Sequence, residues 1–162
     1  MFFLKDLPSQ QMVDAYATAH GADPARISGA LVMMRRASLL IRNLESYFAD
    51  HGLSQLRFLV LIVIDREPRH QSLSPVEIAQ RIDVSKPVMT RTLHSLQRDG
   101  LIATTADTSD RRSKQVAMTA AGQQKLQACL PGYFRILSDE MSGQGVACPT
   151  TPDGFLSPSA AR

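Results

Sequence analysis

The sequence is short of cysteine, of paired metal ligands and of long hydrophobic runs, and each shortage removes a class of protein. Two cysteines, Cys129 and Cys148, cannot build a disulfide framework, and with no second pair they cannot build a Cys-only zinc site. The four histidines, His20, His51, His70 and His94, are scattered, with no His/Cys pair at ligand spacing, so neither a metal nor any other cofactor is expected. The longest apolar run, Phe58 to Ile64, has seven residues, against the roughly 18 that cross a bilayer, so no membrane partner is expected. The chain opens Met-Phe-Phe-Leu and turns acidic at Asp6, unlike a secretory signal, and a cytoplasmic location is expected. A glycine-rich phosphate loop, a nucleophile elbow and a catalytic carboxylate pair are all missing, which argues against an enzyme.

What is present is an ordinary globular composition: 162 residues, 44% apolar and 20% charged, enough for one folded domain. Only 6% of the residues are aromatic, and the net charge is just +3. The charge is unevenly placed. Residues 81 to 115 hold seven bases (Arg81, Lys86, Arg91, Arg98, Arg111, Arg112, Lys114) and four acids, whereas the rest of the chain carries eleven of each. The whole excess therefore falls within 35 residues, either as a solvated basic face or as the meeting place for an anionic partner.

Along the chain, residues 1 to 24 read as an extension with a short helix after Ser9. From Ala25 to about Asp50, Ile27, Leu31, Met34, Ile41, Leu44 and Phe48 recur at helical steps, and Gly52 closes a long amphipathic helix. Ser54 can cap a further helix ended before Pro68; its centre is β-rich enough to read as a strand, and length and flanks favour a helix. Ser74-Pro75-Val76-Glu77 is a capping box with proline at the first helical position. The short helix that follows is expected to turn Val76, Ala79 and Ile82 inward. Asp83-Val84-Ser85 breaks it, and a new helix from Ser85 and Lys86 to Arg98 is expected to bury Val88, Leu93 and Leu96 before Gly100 ends it. Two helices joined this closely make a helix-turn-helix. Leu101 to Ala106 and Lys114 to Thr119 then pair as strands around the polar loop 107–113. Thr119 caps a last helix to about Met141 that Pro131-Gly132 should kink or interrupt. Residues 143 to 162, half of them Gly, Pro, Ser or Thr and only two charged, are expected to be disordered.

The ordered set Leu73-Ser74-Pro75-Val76-Glu77-Ile78-Ala79, Val84-Ser85-Lys86-Pro87-Val88-Met89-Thr90-Arg91, Leu96, Asp99-Gly100-Leu101-Ile102, Asp110-Arg111-Arg112 and Thr119-Ala120-Ala121-Gly122 resembles the MarR family of winged helix-turn-helix transcriptional regulators. The resemblance covers about Leu53 to Gly122. It implies a mainly α fold with a small β-hairpin wing: a dimerisation helix over 25–52, the winged DNA-binding domain over 53–119 and a C-terminal dimerisation helix over 120–142. It also implies a homodimer that binds a pseudo-palindromic operator in double-stranded DNA. Many relatives are released by a small phenolic or aromatic carboxylate effector. Relatives usually continue beyond the position of Met141 with further helix, and residues 1–24 are the candidate substitute for its packing here.

The chemistry of the basic segment agrees with such a role. Duplex DNA is a dense line of phosphates, and a helix fits its major groove with one face toward the base edges. The helix from Ser85 to Arg98 has no acid and carries Ser85, Lys86, Pro87, Thr90, Arg91, His94 and Arg98 away from its apolar stripe. Arg91 is the candidate for a guanine or a phosphate, with Thr90 and Lys86 near the groove wall. Arg98 is either a phosphate contact or solvated, and His94 is as well explained by a plain surface position. In the wing, Asp110 and Arg112 match the family's paired acid and arginine, the acid orienting a guanidinium that enters the minor groove. An ordinary surface ion pair, worth at most about 1 kcal/mol, is the plainer reading. Arg111 and Lys114 are expected to neighbour phosphates. Arg35 and Arg36 could reach a carboxylate effector or simply be exposed. An alternative function is a winged module that docks an acidic protein.

Overall fold

The computed structural model describes residues 7–67, 72–106 and 114–142. The expectations for the tail after residue 142 and for the loop 107–113 lie outside the described residues. The elements, in order, are α1 (Gln10–Ala19), α2 (Pro24–Asp50), α3 (Gln55–Asp65), β1 (Ser72–Leu73), α4 (Pro75–Ile82), α5 (Lys86–Arg98), β2 (Ile102–Ala106), β3 (Lys114–Met118) and α6 (Ala120–Ser142). No single helix among the described residues is long and apolar enough to cross a membrane.

Short-range chemistry sets the helix starts. The Ser9 side chain accepts from the Met12 amide, Asp23 from Ala25, and Ser54 from Arg57, each satisfying a first-turn donor that the helix leaves without a partner. At α4 the capping box closes from both sides: Ser74 Oγ accepts from the Glu77 amide at 3.3 Å, and Glu77 Oε2 accepts from the Ser74 amide at 2.8 Å.

The β-rich run settles as helix α3 and lies at the centre of the molecule. Phe58, Val60, Leu61, Ile62 and Ile64 are all buried, because α2, α4, α5, α6 and β3 surround it. Leu59 and Val63, on its least covered face, are half-buried and apolar as well, so the helix has no polar stripe and its sequence lacks helical periodicity. Phe58 stacks on Phe48 of α2, with centroids 4.3 Å apart, and meets Tyr133 of α6 at 4.8 Å, so one ring joins three helices.

The sheet has three antiparallel strands in the order β1-β3-β2. β3 pairs Val116 with both Leu73 and Thr104, and Val116, Leu73 and Ile102 turn into the core. At only two residues, β1 carries no periodicity and was not expected from sequence.

Pro131 does not interrupt α6, which runs unbroken for 23 residues. Proline removes the bond that its own amide would have donated. Packing against α2 holds the helix across that gap. The Tyr47 hydroxyl donates to the Cys129 carbonyl at 2.8 Å, and Gly132 leaves room for the Tyr47 ring. One turn from the far end, Arg36 of α2 binds Glu140, with Nη2 2.8 Å from Oε1. The helix after Ser9 forms as expected and packs on α2 through Val13 and Ala17.

The apolar stripe of α2 divides in two. Leu44 and Phe48 are buried in this chain's own core, whereas Met34 is 47% exposed and lies among the exposed Val32, Met33 and Leu39. Met12 and Tyr16 of α1, and Phe134 and Met141 of α6, are exposed too. At the start of α6 the chain is tightest. The Thr119 hydroxyl donates to the Gly100 carbonyl at 2.7 Å and accepts from the Gly122 amide at 3.0 Å. A Cβ on Gly122 would collide with the Leu101 carbonyl oxygen and come within 2.8 Å of Met118 Cγ. Gly122→Ala should therefore destabilise the fold by roughly 1–3 kcal/mol, despite alanine's better helix propensity, as measured by urea unfolding.

Candidate nucleic-acid interface

The helix-turn-helix is formed by α4, the turn at Asp83-Val84-Ser85, and α5. Asp83 takes the left-handed conformation (φ 57°, ψ 54°), which aspartate tolerates better than most residues, and its amide bonds the Ala79 carbonyl. That single left-handed residue turns the chain between the two helices. The inward set on α4 is rotated from expectation: Ile78 and Ala79 are buried, Ile82 is half-buried, and Val76 is exposed.

The same correction holds for α5, with more consequence. Met89, not Val88, joins Leu93 and Leu96 in the core; Met89 is 2% exposed and Val88 42%. Steps of four and three, from Met89 to Leu93 to Leu96, make one stripe. Val88 therefore moves to the outer face with Ser85, Lys86, Pro87, Thr90, Arg91, His94 and Arg98, all of them exposed. Val88 stands five residues before Leu93 and eight before Leu96, off that stripe, so the spacing itself favours Met89. On its buried side α5 packs against α3, α4 and β2, and Met89 is long and unbranched enough to fill irregular gaps there.

Two hydroxyls on α5 are already committed. Thr90 Oγ1 donates to the Lys86 carbonyl at 2.9 Å, and Thr92 Oγ1 to the Val88 carbonyl at 3.0 Å. Ser85 precedes the helix without capping it, and its side chain is exposed. Arg98 reaches only Asp99 at 3.4 Å and remains 78% exposed. The stronger partner of Asp99 is Arg57 of α3, with Nη2 2.6 Å from Oδ2, and this pair ties the end of α5 to the start of the central helix. Arg81, counted in the basic segment, pairs with Glu67 at 2.9 Å.

Lys114 is exposed at the start of β3, paired with Ala106 at the base of the wing. Asp110, Arg111 and Arg112 lie outside the described residues. The structure thus brings Lys86, Arg91, His94 and Arg98 onto one helix face that has no acid of its own.

The remaining candidates separate from this surface. Cys129 is completely buried on α6, and burial pushes its thiol above its ordinary pKa, opposite to what a reactive thiolate needs. Burial likewise raises the Tyr47 hydroxyl. Among the described residues no group of three or more His, Cys, Asp or Glu is placed to hold a metal. Arg36 is engaged by Glu140, and Arg35 also has a partner. A separate apolar cleft of about 280 Å³ lies between α1 and the first turns of α2, lined by residues that include Met12, Val13, Tyr16, Ile27 and Leu31.

Two short helices in a tight turn, followed by an antiparallel hairpin and flanked by long helices, define a winged helix-turn-helix protein. The family model described as MarR family matches residues 51–113. Over 139 residues the chain is 31% identical to the HTH-type transcriptional repressor YetL of Bacillus subtilis (strain 168), spanning 85% of this chain and 83% of that one. The M. tuberculosis transcriptional regulator MOSR, solved in complex with DNA, has a TM-score of 0.59 and 28% identity, covering 72% of this chain and 82% of that one. The fold is also shared with BpsR of Bordetella bronchiseptica, whose DNA binding is regulated by 6-hydroxynicotinic acid, at TM-score 0.62, 18% identity, and coverage of 72% and 79%. The chain belongs to the MarR family of helix-turn-helix transcriptional regulators, which are not enzymes.

The rotation of α5 is directly measurable. Met89→Ala should cost about 2–5 kcal/mol in urea unfolding, because it empties a buried site. Val88→Ala, beside it, should change stability by no more than about 0.5 kcal/mol.

Proposed function

We propose that this protein is a homodimeric repressor that binds a pseudo-palindromic operator in double-stranded DNA and acts in the cytoplasm. The observation that carries this reading is the exposed, acid-free outer face of α5, with Lys86, Arg91, His94 and Arg98 opposite a fully buried stripe. A helix of this kind enters the major groove, where Arg91 hydrogen-bonds a guanine edge and Lys86 and Thr90 approach the groove wall. Ser85 and Pro87, at the start of the helix, sit closest to the backbone. Arg98 and Lys114, together with Arg111, neutralise phosphates and add affinity without sequence information. Asp110 orients Arg112 for the minor groove of the wing's half-site. That MOSR was solved in complex with DNA supports DNA binding by this chain.

The open apolar row of α2, continued by Phe134 and Met141 of α6, supports dimerisation through the long helices. Helix α1 widens that surface with Met12 and Tyr16. A small phenolic or aromatic carboxylate effector that releases the DNA is the regulatory half of the proposal, supported by the 6-hydroxynicotinic acid response of BpsR.

In gel shifts with the DNA upstream of its own coding sequence, binding should fall about a thousandfold or more between roughly 50 and 200 mM salt, from released counterions. Arg91→Ala and Arg112→Ala should each weaken it by about 1–3 kcal/mol with the unfolding profile unchanged; full affinity in both overturns the assigned surface. The half-sites should lie about one helical turn, roughly 10 bp, apart. Removing residues 1–19 should weaken the dimer in sedimentation equilibrium, and an unchanged dimer would exclude α1 from the interface.

A further inference from the structure

The outer face of α5 carries two apolar side chains: Pro87, which the first turn of a helix favours in any setting, and Val88, which neither charge, hydrogen bonding nor helix geometry accounts for. Val88 is 42% exposed, while its neighbour Met89 fills the core position that Val88 was expected to take. Val88 is therefore dispensable to the core. It stands one helical turn before Arg91, on the same face, since residues three apart on a helix are neighbours. Around it two hydroxyl protons are already committed, that of Thr92 to the Val88 carbonyl and that of Thr90 to the Lys86 carbonyl, which leaves both groups as acceptors only. Valine is also stiff at χ1, so its two methyl groups are held in place with little entropy left to lose.

We propose that Val88 is a specificity-determining residue that packs on the C5-methyl group of a thymine next to the base pair bound by Arg91. This rests on the reading that α5 enters the major groove. In that groove thymine alone presents a methyl group; cytosine offers an amino donor, and guanine and adenine offer polar edges. Against Val88 those polar groups lose water and gain no partner, so the same side chain attracts thymine and penalises the other bases. The half-site thus combines a cation-read guanine with an adjacent methyl-read thymine.

The test begins with selection of a preferred duplex from a random pool by the full-length protein. Each thymine of that duplex is then replaced in turn by deoxyuridine, which removes only the methyl group. At one thymine in each half-site the replacement should weaken binding of the unaltered protein about fourfold, the worth of one buried methyl group. Val88→Ala should bind the thymine duplex as weakly as the unaltered protein binds the uracil duplex, and should not respond to the replacement. If no thymine is sensitive, or if the sensitivity persists in Val88→Ala, Val88 does not read the methyl group, while the selected duplex still upholds sequence-specific binding. A pool that yields no preferred duplex overturns both readings.

Discussion

Burial of α3 is the constraint on which the other elements depend. Five of its apolar residues are buried under neighbouring elements, and each covering element is held at a definite place: α2 through Phe48, α6 through Tyr133, and the helix-turn-helix and β3 through other contacts. Each fully buried Phe, Leu or Ile in this position contributes on the order of 1.5–3 kcal/mol, more than any surface pair in the molecule. The ion pair from Arg57 to Asp99 sits at the rim of this core. Its effect is positional, since it fixes where α5 ends relative to α3.

From that core the functional surface follows by subtraction. Once Met89, Leu93 and Leu96 are directed inward, α5 has no rotational freedom left, and Lys86, Arg91 and His94 must face solvent. The basic segment is thus a consequence of packing as much as of composition. Arg81 illustrates the point: it belongs to the segment by position, yet Glu67 neutralises it on α4.

The long helices show the opposite condition. α2 buries Leu44 and Phe48 near its C-terminal end and leaves Val32, Met33, Met34 and Leu39 open further back. A helix of 27 residues is too long for one small core to cover. Arg36 and Glu140 join α2 to α6, and Thr119 and Gly122 join α6 to the residues that lead into the wing.

The sequence by itself determined the helix starts, the turn and the family. Ser9, Ser54, Ser74 with Glu77, and Gly100 act on groups only a few residues away, so their chemistry is complete within the local chain. The location of the basic excess was legible for the same reason, being a count along the chain. Tertiary structure decided whether a helix continues and which apolar runs are enclosed. Pro131 reads locally as a break, but Tyr47, far away in sequence, supports the helix across it. The run Phe58 to Ile64 has no period because five of its residues are buried under neighbouring elements and the two left half-buried, Leu59 and Val63, are apolar too. In each case the deciding contact joins residues distant in the chain, which no local pattern contains.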